Sequence, residues 1–159
     1  MIRLELDPTS GSLHVRGNDT SVELFAGPRS WVYSAISSLA DAVINLLSGL
    51  ENARAFWNLD PGQFRWLFER HGEHAVVRIL EFGDGFTNVD DSHGEHVFET
   101  ACRLADLAGQ TLSVVHSIND QVEPQLVDTT LGTQERLLRQ LIRQRKRLGP
   151  EQRSADATP

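Results

Sequence analysis

Alternation of apolar and polar residues marks residues 64–82 as the centre of the chain. Phe64, Trp66 and Phe68 recur at every second position, which is typical of a strand with one buried face. A turn at His71-Gly72 would fold a second strand onto the first and pair Phe68 with Ala75, Trp66 with Val77 and Phe64 with Ile79. Such an apolar hairpin is not stable alone in water, so the rest of the chain must cover it.

Three shorter strands are predicted before this hairpin. Their apolar residues alternate with polar ones, and residues 7–11 and 17–19 between them carry turn chemistry. The alternating positions are Ile2, Leu4, Leu6, Leu13, Val15, Val22 and Leu24. Closely spaced strands with tight turns indicate an antiparallel meander.

Helical spacing replaces the alternation in residues 31–48 and again in residues 103–118. Gly49 follows the first stretch, where a helix end favours a left-handed residue. A loop through Trp57 is predicted between the first helix and the hairpin. A polar, acidic loop follows the hairpin, and His96–Thr100 resumes a strand before the second helix.

The predicted fold class is α+β. We expect one domain over residues 1–122, with about six strands in one antiparallel sheet, arranged as two βββα units with both helices on one face. Residues 123–132 are predicted to be a linker, residues 133–148 an appended basic helix and residues 149–159 a disordered tail. The helix carries an apolar stripe of Leu137, Leu138, Leu141, Ile142 and Leu148.

Composition indicates an ordinary globular protein of the cytoplasm. The start of the sequence is charged and alternating, unlike a signal peptide. The apolar run around Leu39–Leu47 is interrupted by Asp41 and Asn45 and is too short to span a bilayer. Cys102 is the only cysteine, so no internal disulfide forms and a reducing compartment is expected.

Charge is distributed unevenly. Residues 1–132 hold 8 basic and 19 acidic groups, a net −11, while residues 133–159 hold 7 basic and 3 acidic groups, a net +4. The acidic body should repel nucleic acids and membranes and favour basic partners. The predicted partner-binding surface is the loop after the hairpin with its flanks, and its carboxylates are Glu81, Asp84, Asp90, Asp91, Glu95 and Glu99.

Metal and cofactor sites are not predicted. The sequence His-Gly-Glu-His occurs twice, at residues 71–74 and 93–96, and contains residue types that bind zinc. The strand between the two copies would separate them by about 25–30 Å, so they cannot form one site. Repeated turn chemistry is the favoured interpretation.

Motifs of nucleophilic or nucleotide-dependent enzymes are also missing from the sequence: there is no G-x-S-x-G, no P-loop and no G-x-G-x-x-G after a strand. Cys102 lies between a predicted strand and a helix, where a thiol can be activated, but a lone cysteine is more often a small buried apolar residue. We therefore predict no catalytic residues and keep a thiol- or metal-dependent enzyme as the least favoured alternative.

The basic helix 133–148 has two open interpretations. Its apolar stripe can dock on the acidic body of the same chain, or it can pair with a second subunit and make a homodimer. The helix contains no aromatic residue for stacking on bases, and its leucines require burial, so nucleic-acid binding is not expected.

Residues 30–120 combine an amphipathic helix, Asp60-Pro61-Gly62, the FRWLFER and VVRILEF strands and a later VFE strand leading into a helix. This combination resembles small acidic bacterial proteins, some of which are similar to the immunity proteins of polymorphic toxin systems. The resemblance implies a non-enzymatic interaction protein that binds and neutralises a toxin. The acidic surface of the body would suit a basic toxin. An assembly or regulatory module that dimerises through the last helix is the alternative.

Overall fold

The computed structural model describes residues 1–7, 9–25, 29–59, 61–83, 89–121 and 129–148. The described residues form seven strands, three α-helices and one 3-10 turn, and the helices lie on one side. The predicted α+β class is confirmed. The predicted linker before residue 129 and the predicted tail from residue 149 lie outside the described residues.

The first sheet is the predicted meander. Its strands are β1 (Arg3–Asp7), β2 (Ser12–Arg16) and β3 (Ser21–Phe25), and the order is β1-β2-β3 with antiparallel pairing throughout. The alternating apolar residues cover one face and enter the core, where Leu4, Leu13, Val15 and Leu24 are buried.

The second sheet contains four antiparallel strands in the order β4-β5-β6-β7: β4 (Asn52–Asn58), β5 (Gln63–His71), β6 (His74–Phe82) and β7 (Glu95–Arg103). The strands therefore number seven in two sheets, instead of about six in one. The strand missing from the prediction is β4, which lies where the sequence predicts a loop through Trp57. Ala55 and Trp57 are its buried residues, but the exposed Phe56 between them hides the alternation.

For the hairpin of β5 and β6, the predicted buried face is correct but the predicted strand register is wrong. Gly72 and Glu73 form the two-residue turn, with Gly72 at φ +60°, so Phe68 pairs with Val77, Trp66 with Ile79 and Phe64 with Glu81. The shift from the predicted pairs is two residues. Because side chains alternate with a period of two, that shift keeps the same residues in the core.

The helices are α1 (Arg29–Leu47), α2 (Leu104–Asn119) and α3 (Thr129–Arg147). As predicted, α1 ends beside Gly49, which has φ +111°. Helix α3 begins at Thr129 and not at Thr133, so residues 129–132 belong to the helix and not to a linker. Residues Ser30–Leu47 are long and apolar enough to cross a membrane, but 56% of that window is buried inside the protein, as in a core helix.

One core joins the two sheets to the helices. Its largest fully buried side chains include Trp57, Trp66, Phe68 and Phe98. The turn between β2 and β3 rests on β7: the Thr20 hydroxyl donates a 3.0 Å hydrogen bond to the carbonyl of Glu99. A Cβ at Gly17 in this turn would lie 2.8 Å from the Thr100 side chain, so the contact requires glycine.

Candidate protein-interaction surface

The six carboxylates predicted from sequence lie in different surroundings. Glu81 is near the end of β6, Asp90 and Asp91 follow in the segment before β7, and Glu95 and Glu99 belong to β7. Asp84 lies outside the described residues. The structure brings Glu81, Asp90 and Glu95 to the same end of the second sheet but gives Asp91 and Glu99 their own cationic partners.

Asp91 has a structural role that the sequence did not indicate. Its Oδ1 accepts a 2.5 Å hydrogen bond from Arg65 Nη1, and its Oδ2 accepts a 2.7 Å hydrogen bond from Arg54 Nη2. Asp91 is thus held by two arginines of neighbouring strands and is not a free carboxylate for a partner.

Arg65 is buried although it lies on the outward face of β5, with 3% of the residue exposed. Its guanidinium lies 4.4 Å from the centre of the Phe82 ring and 6.0 Å from that of Phe56, and it donates a 2.9 Å hydrogen bond to the Val89 carbonyl. Cation–π contacts of this kind gain strength when they are shielded from water. Arg65 therefore anchors the segment around Val89 and Asp91 to the sheet.

Gly94 completes this attachment. A Cβ at Gly94 would lie 2.6 Å from the Phe82 ring and 2.9 Å from Leu80 Cβ, so a side chain there would push the segment off the sheet. The sequence contained a signal that the outward face of β6 is covered, because Leu80 and Phe82 make that face unusually apolar. The alternation places them on the same face as Arg78.

Glu99 is paired with a cation on the outward face. It accepts a 2.7 Å hydrogen bond from Arg78 Nε, and its Oε2 lies 3.4 Å from His96 Nε2. The hydrogen bond from Arg78 lowers the pKa of Glu99 below its ordinary value. This carboxylate therefore remains ionised and paired within its own sheet.

Three exposed carboxylates remain, and we call Glu81, Asp90 and Glu95 the acidic edge. Glu81 and Glu95 lie directly opposite each other on β6 and β7. Asp90 Oδ1 accepts a 2.9 Å hydrogen bond from the Ser92 backbone amide, which lowers the pKa of Asp90. Within the described part of the chain, no ion pair within 4.0 Å joins any of the three to a basic group.

An aromatic groove that the sequence did not reveal lies beside the segment held by Arg65. It has a volume of about 350 Å³ and is formed between α1 and β4 by Trp31, Ser34, Ala35, Phe56 and Asn58. Phe56 is 38% exposed, and its ring centre lies 6.0 Å from the guanidinium of Arg65, which also binds Asp91. Half-exposed aromatic side chains next to arginine are typical anchors of protein interfaces.

The predicted apolar stripe of α3 is largely used within the chain. Leu138 is fully buried, and Leu141 and Ile142 pack partly buried against the core, whereas Leu137 is 37% and Leu148 38% exposed. Helix α3 contacts both α1 and α2. Of the two predicted arrangements, docking in cis is therefore the one present in this chain.

Polar contacts hold α3 in that position. Gln134 is buried and its Nε2 donates a 2.6 Å hydrogen bond to Asp41 of α1. Glu135 Oε2 accepts a 2.7 Å hydrogen bond from Asn119 of α2. Near the other end of the helix, Arg145 donates to Glu73 in the turn between β5 and β6.

The structure places Cys102 inside the protein, near the end of β7. Its Sγ lies 3.7 Å from the Ala75 carbonyl, and burial raises the pKa of the thiol to about 11. A thiol with this pKa is protonated at neutral pH and is a poor nucleophile.

The two His-Gly-Glu-His segments are far apart, as predicted. His71 and His74 face each other at the hairpin turn, whereas His93 and His96 lie by the opposite end of β6. No group of three or more His, Cys, Asp or Glu side chains arranged to hold a metal occurs among the described residues. His71 instead lies 3.0 Å from Glu69.

Comparisons with known proteins give one structural similarity. No protein-family model and no curated protein matches the chain. A solved structure described as the CdiA-CT/CdiI toxin and immunity complex from Enterobacter cloacae contains a chain that is 16% identical, with a TM-score of 0.41. The match covers 69% of this chain and 86% of that chain. At this identity and TM-score a shared function does not follow.

Proposed function

We propose that this protein is a non-enzymatic binding domain whose acidic edge receives a basic protein, as an immunity protein masks a toxin. The acidic edge and the aromatic groove supply two kinds of contact that protein interfaces combine, charged groups for steering and aromatic anchors for affinity.

The observation that carries the proposal is the pairing of Glu81 with Glu95. Like charges directly opposite each other on neighbouring strands destabilise a sheet. Nearby, the chain supplies cations to its carboxylates: Arg78 pairs with Glu99 within the sheet, and Arg65 pairs with Asp91 in the segment before β7. A lysine or arginine of a partner placed between Glu81 and Glu95 would relieve the repulsion.

Rigidity of the neighbouring segment favours tight binding. Arg65, Asp91 and the close contact of Gly94 with Phe82 fix the backbone on both sides of the 3-10 turn Asp91–His93. Asp90 is therefore held in place before a partner arrives. Less conformational freedom is then lost on binding, which raises affinity without new contacts.

The aromatic groove supplies the apolar part of such an interface. Trp31 and Phe56 form its two sides, and Phe56 is connected to the acidic edge through Arg65 and the segment from Val89 to Asp91. An aliphatic side chain of the partner would bury apolar surface here and contribute roughly 1.5–3 kcal/mol.

Co-expression with a basic protein encoded beside this gene tests the proposal. We expect a stoichiometric complex in size-exclusion chromatography and protection of cell growth if the partner is toxic. The variant Glu81→Lys, Asp90→Lys, Glu95→Lys should lose both, while Asp19→Lys, Glu23→Lys, Glu51→Lys, which changes net charge equally on other surfaces, should keep both. Protection by substoichiometric amounts of the protein would instead indicate an enzyme.

A further inference from the structure

The outward side of α3 carries a second charged surface, opposite in sign to the acidic edge. Docking of α3 in cis leaves Arg136, Arg143 and Arg147 exposed to solvent. With 3.6 residues per turn these positions lie within about 40° of one another around the helix and extend over about 16 Å along it. We call these three residues the arginine face.

Among the residues that the structure describes, no carboxylate pairs with the charges of this face. In the described residues no carboxylate lies within 4.0 Å of Arg136, Arg143 or Arg147. Glu135 is the one acidic residue of α3, and it is bound by Arg139 at 2.6 Å and by His116 at 3.0 Å.

Folding alone does not favour this arrangement. Arg143 and Arg147 are four residues apart on the helix, where like charges are neighbours and destabilise it. The helix dipole favours cations only in the last turn, which excludes Arg136 and Arg139 from that benefit. An anionic partner bound at the arginine face would offset this repulsion.

The chemistry of the face indicates which anion it suits. Guanidinium groups bind phosphate in a bidentate geometry. The face contains no aromatic residue for stacking on unpaired bases. The apolar side of α3 is occupied by α1 and α2, as the burial of Leu131 and Leu138 shows, and so is not available to enter a membrane. A regularly spaced phosphate backbone fits these conditions.

The acidic edge lies too far away to repel such a ligand strongly. Arg145 connects the C-terminal end of α3 to Glu73, at the start of β6, whereas Glu81 is near the other end of that strand. Eight residues of strand span about 26 Å. The Debye length at 0.1 M ionic strength is about 10 Å, so the two surfaces act independently in physiological salt.

We propose that the arginine face of α3 binds the phosphate backbone of a nucleic-acid duplex, without base specificity. The sequence argues against nucleic acid because the body is acidic, because this helix has no aromatic residue for stacking, and because its leucines require burial. Docking in cis satisfies that requirement and leaves the arginines on a face of their own.

Fluorescence anisotropy with labelled 20-base-pair DNA and RNA duplexes tests the proposal on the full chain. Three phosphate contacts predict a slope of about −2.7 for log K against log salt concentration. We expect Arg136→Gln, Arg143→Gln, Arg147→Gln to weaken binding at least tenfold at 25 mM salt. The control Arg3→Gln, Arg16→Gln, Arg103→Gln, which removes the same charge from other exposed positions, should change it less than twofold.

Three results would overturn the proposal: no binding of either duplex at 25 mM salt, equal weakening by the two triple variants, or binding of a poly-glutamate peptide as tight as that of the duplexes. The second result would mean that only net charge matters, and the third would assign the face to an acidic protein. Binding of only one of the two duplexes supports the proposal and shows whether the ligand is DNA or RNA. Circular dichroism of both variants checks that α3 remains folded.

Discussion

Asp91 accepts a 2.5 Å hydrogen bond from Arg65, a charged residue that is buried on the outward face of the central strand. This pair fastens the segment before β7 across the second sheet, where it covers Arg65 between the rings of Phe82 and Phe56. The segment before β7 is thus part of the folded structure: its Asp91 holds the fold, whereas its Asp90 faces solvent.

Removing Asp91 should destabilise the protein, because it leaves the buried guanidinium of Arg65 without its counter-ion. We expect Asp91→Ala to cost about 2–4 kcal/mol of unfolding free energy in urea denaturation. The control Asp90→Ala removes an exposed carboxylate whose hydrogen bond goes to the Ser92 amide, so it should cost much less than Asp91→Ala. Equal costs for the two variants would contradict the role of the pair.

Two glycines should respond to alanine with opposite signs. Gly94→Ala forces a methyl group against Phe82 and Leu80 and should cost about 1–3 kcal/mol. Gly109 lies within α2 with nothing within 4 Å of the added Cβ, so Gly109→Ala should stabilise the protein by about 0.5–1 kcal/mol. Thermal or urea denaturation measures both, and a neutral Gly94→Ala would mean that the segment does not lie against the sheet.

Adjacent leucines of α3 distinguish docking in cis from dimerisation. Leu138 is fully buried and Leu137 is 37% exposed. We expect Leu138→Ala to cost about 2–5 kcal/mol and Leu137→Ala less than about 1 kcal/mol, with the mass in light scattering unchanged and monomeric in both. A wild-type dimer that Leu137→Ala converts to monomers would assign the helix to a subunit interface.

The fold was predictable as far as the periodicity was clear. Phe64, Trp66 and Phe68 identified the buried face of β5, and the helical spacing identified α1 and α2 almost to their ends. Strand β4 was missed because small and exposed residues, Ala55 and Phe56, interrupt its pattern. The hairpin register was off by two residues, since the apolar alternation is satisfied equally well by either pairing.

The candidate site was predictable only in part. The six carboxylates were grouped because they are close to one another in the sequence. That proximity does not show that Asp91 is bound by Arg65, 26 residues away, or that Glu99 is bound by Arg78 on the neighbouring strand. Ion pairs across a sheet depend on register and on loop placement, which composition does not determine. The groove between Trp31 and Phe56 depends on how α1 packs on β4 and was likewise not visible.

The thiol of Cys102 should give the stability a distinct dependence on alkaline pH. Burial raises its pKa in the folded protein to about 11, from an ordinary value of 9.0. Between these values the unfolded thiol ionises while the folded one does not, so stability falls as pH rises from 9 to 11, by at most about 2.7 kcal/mol. Cys102→Ala should lack this component when urea denaturation is compared at pH 8 and pH 10.5. Parallel pH profiles for the two proteins would contradict the burial of the thiol.

Association kinetics with the basic partner test the central claim, that the acidic edge of Glu81, Asp90 and Glu95 receives a cationic protein surface. At low salt the Glu81→Lys, Asp90→Lys, Glu95→Lys variant should associate at least tenfold more slowly than the wild type, and the difference should shrink at 0.3 M salt as screening increases. Asp19→Lys, Glu23→Lys, Glu51→Lys should change the rate no more than about threefold. Association that is independent of salt, or slowed equally by both variants, would contradict the account.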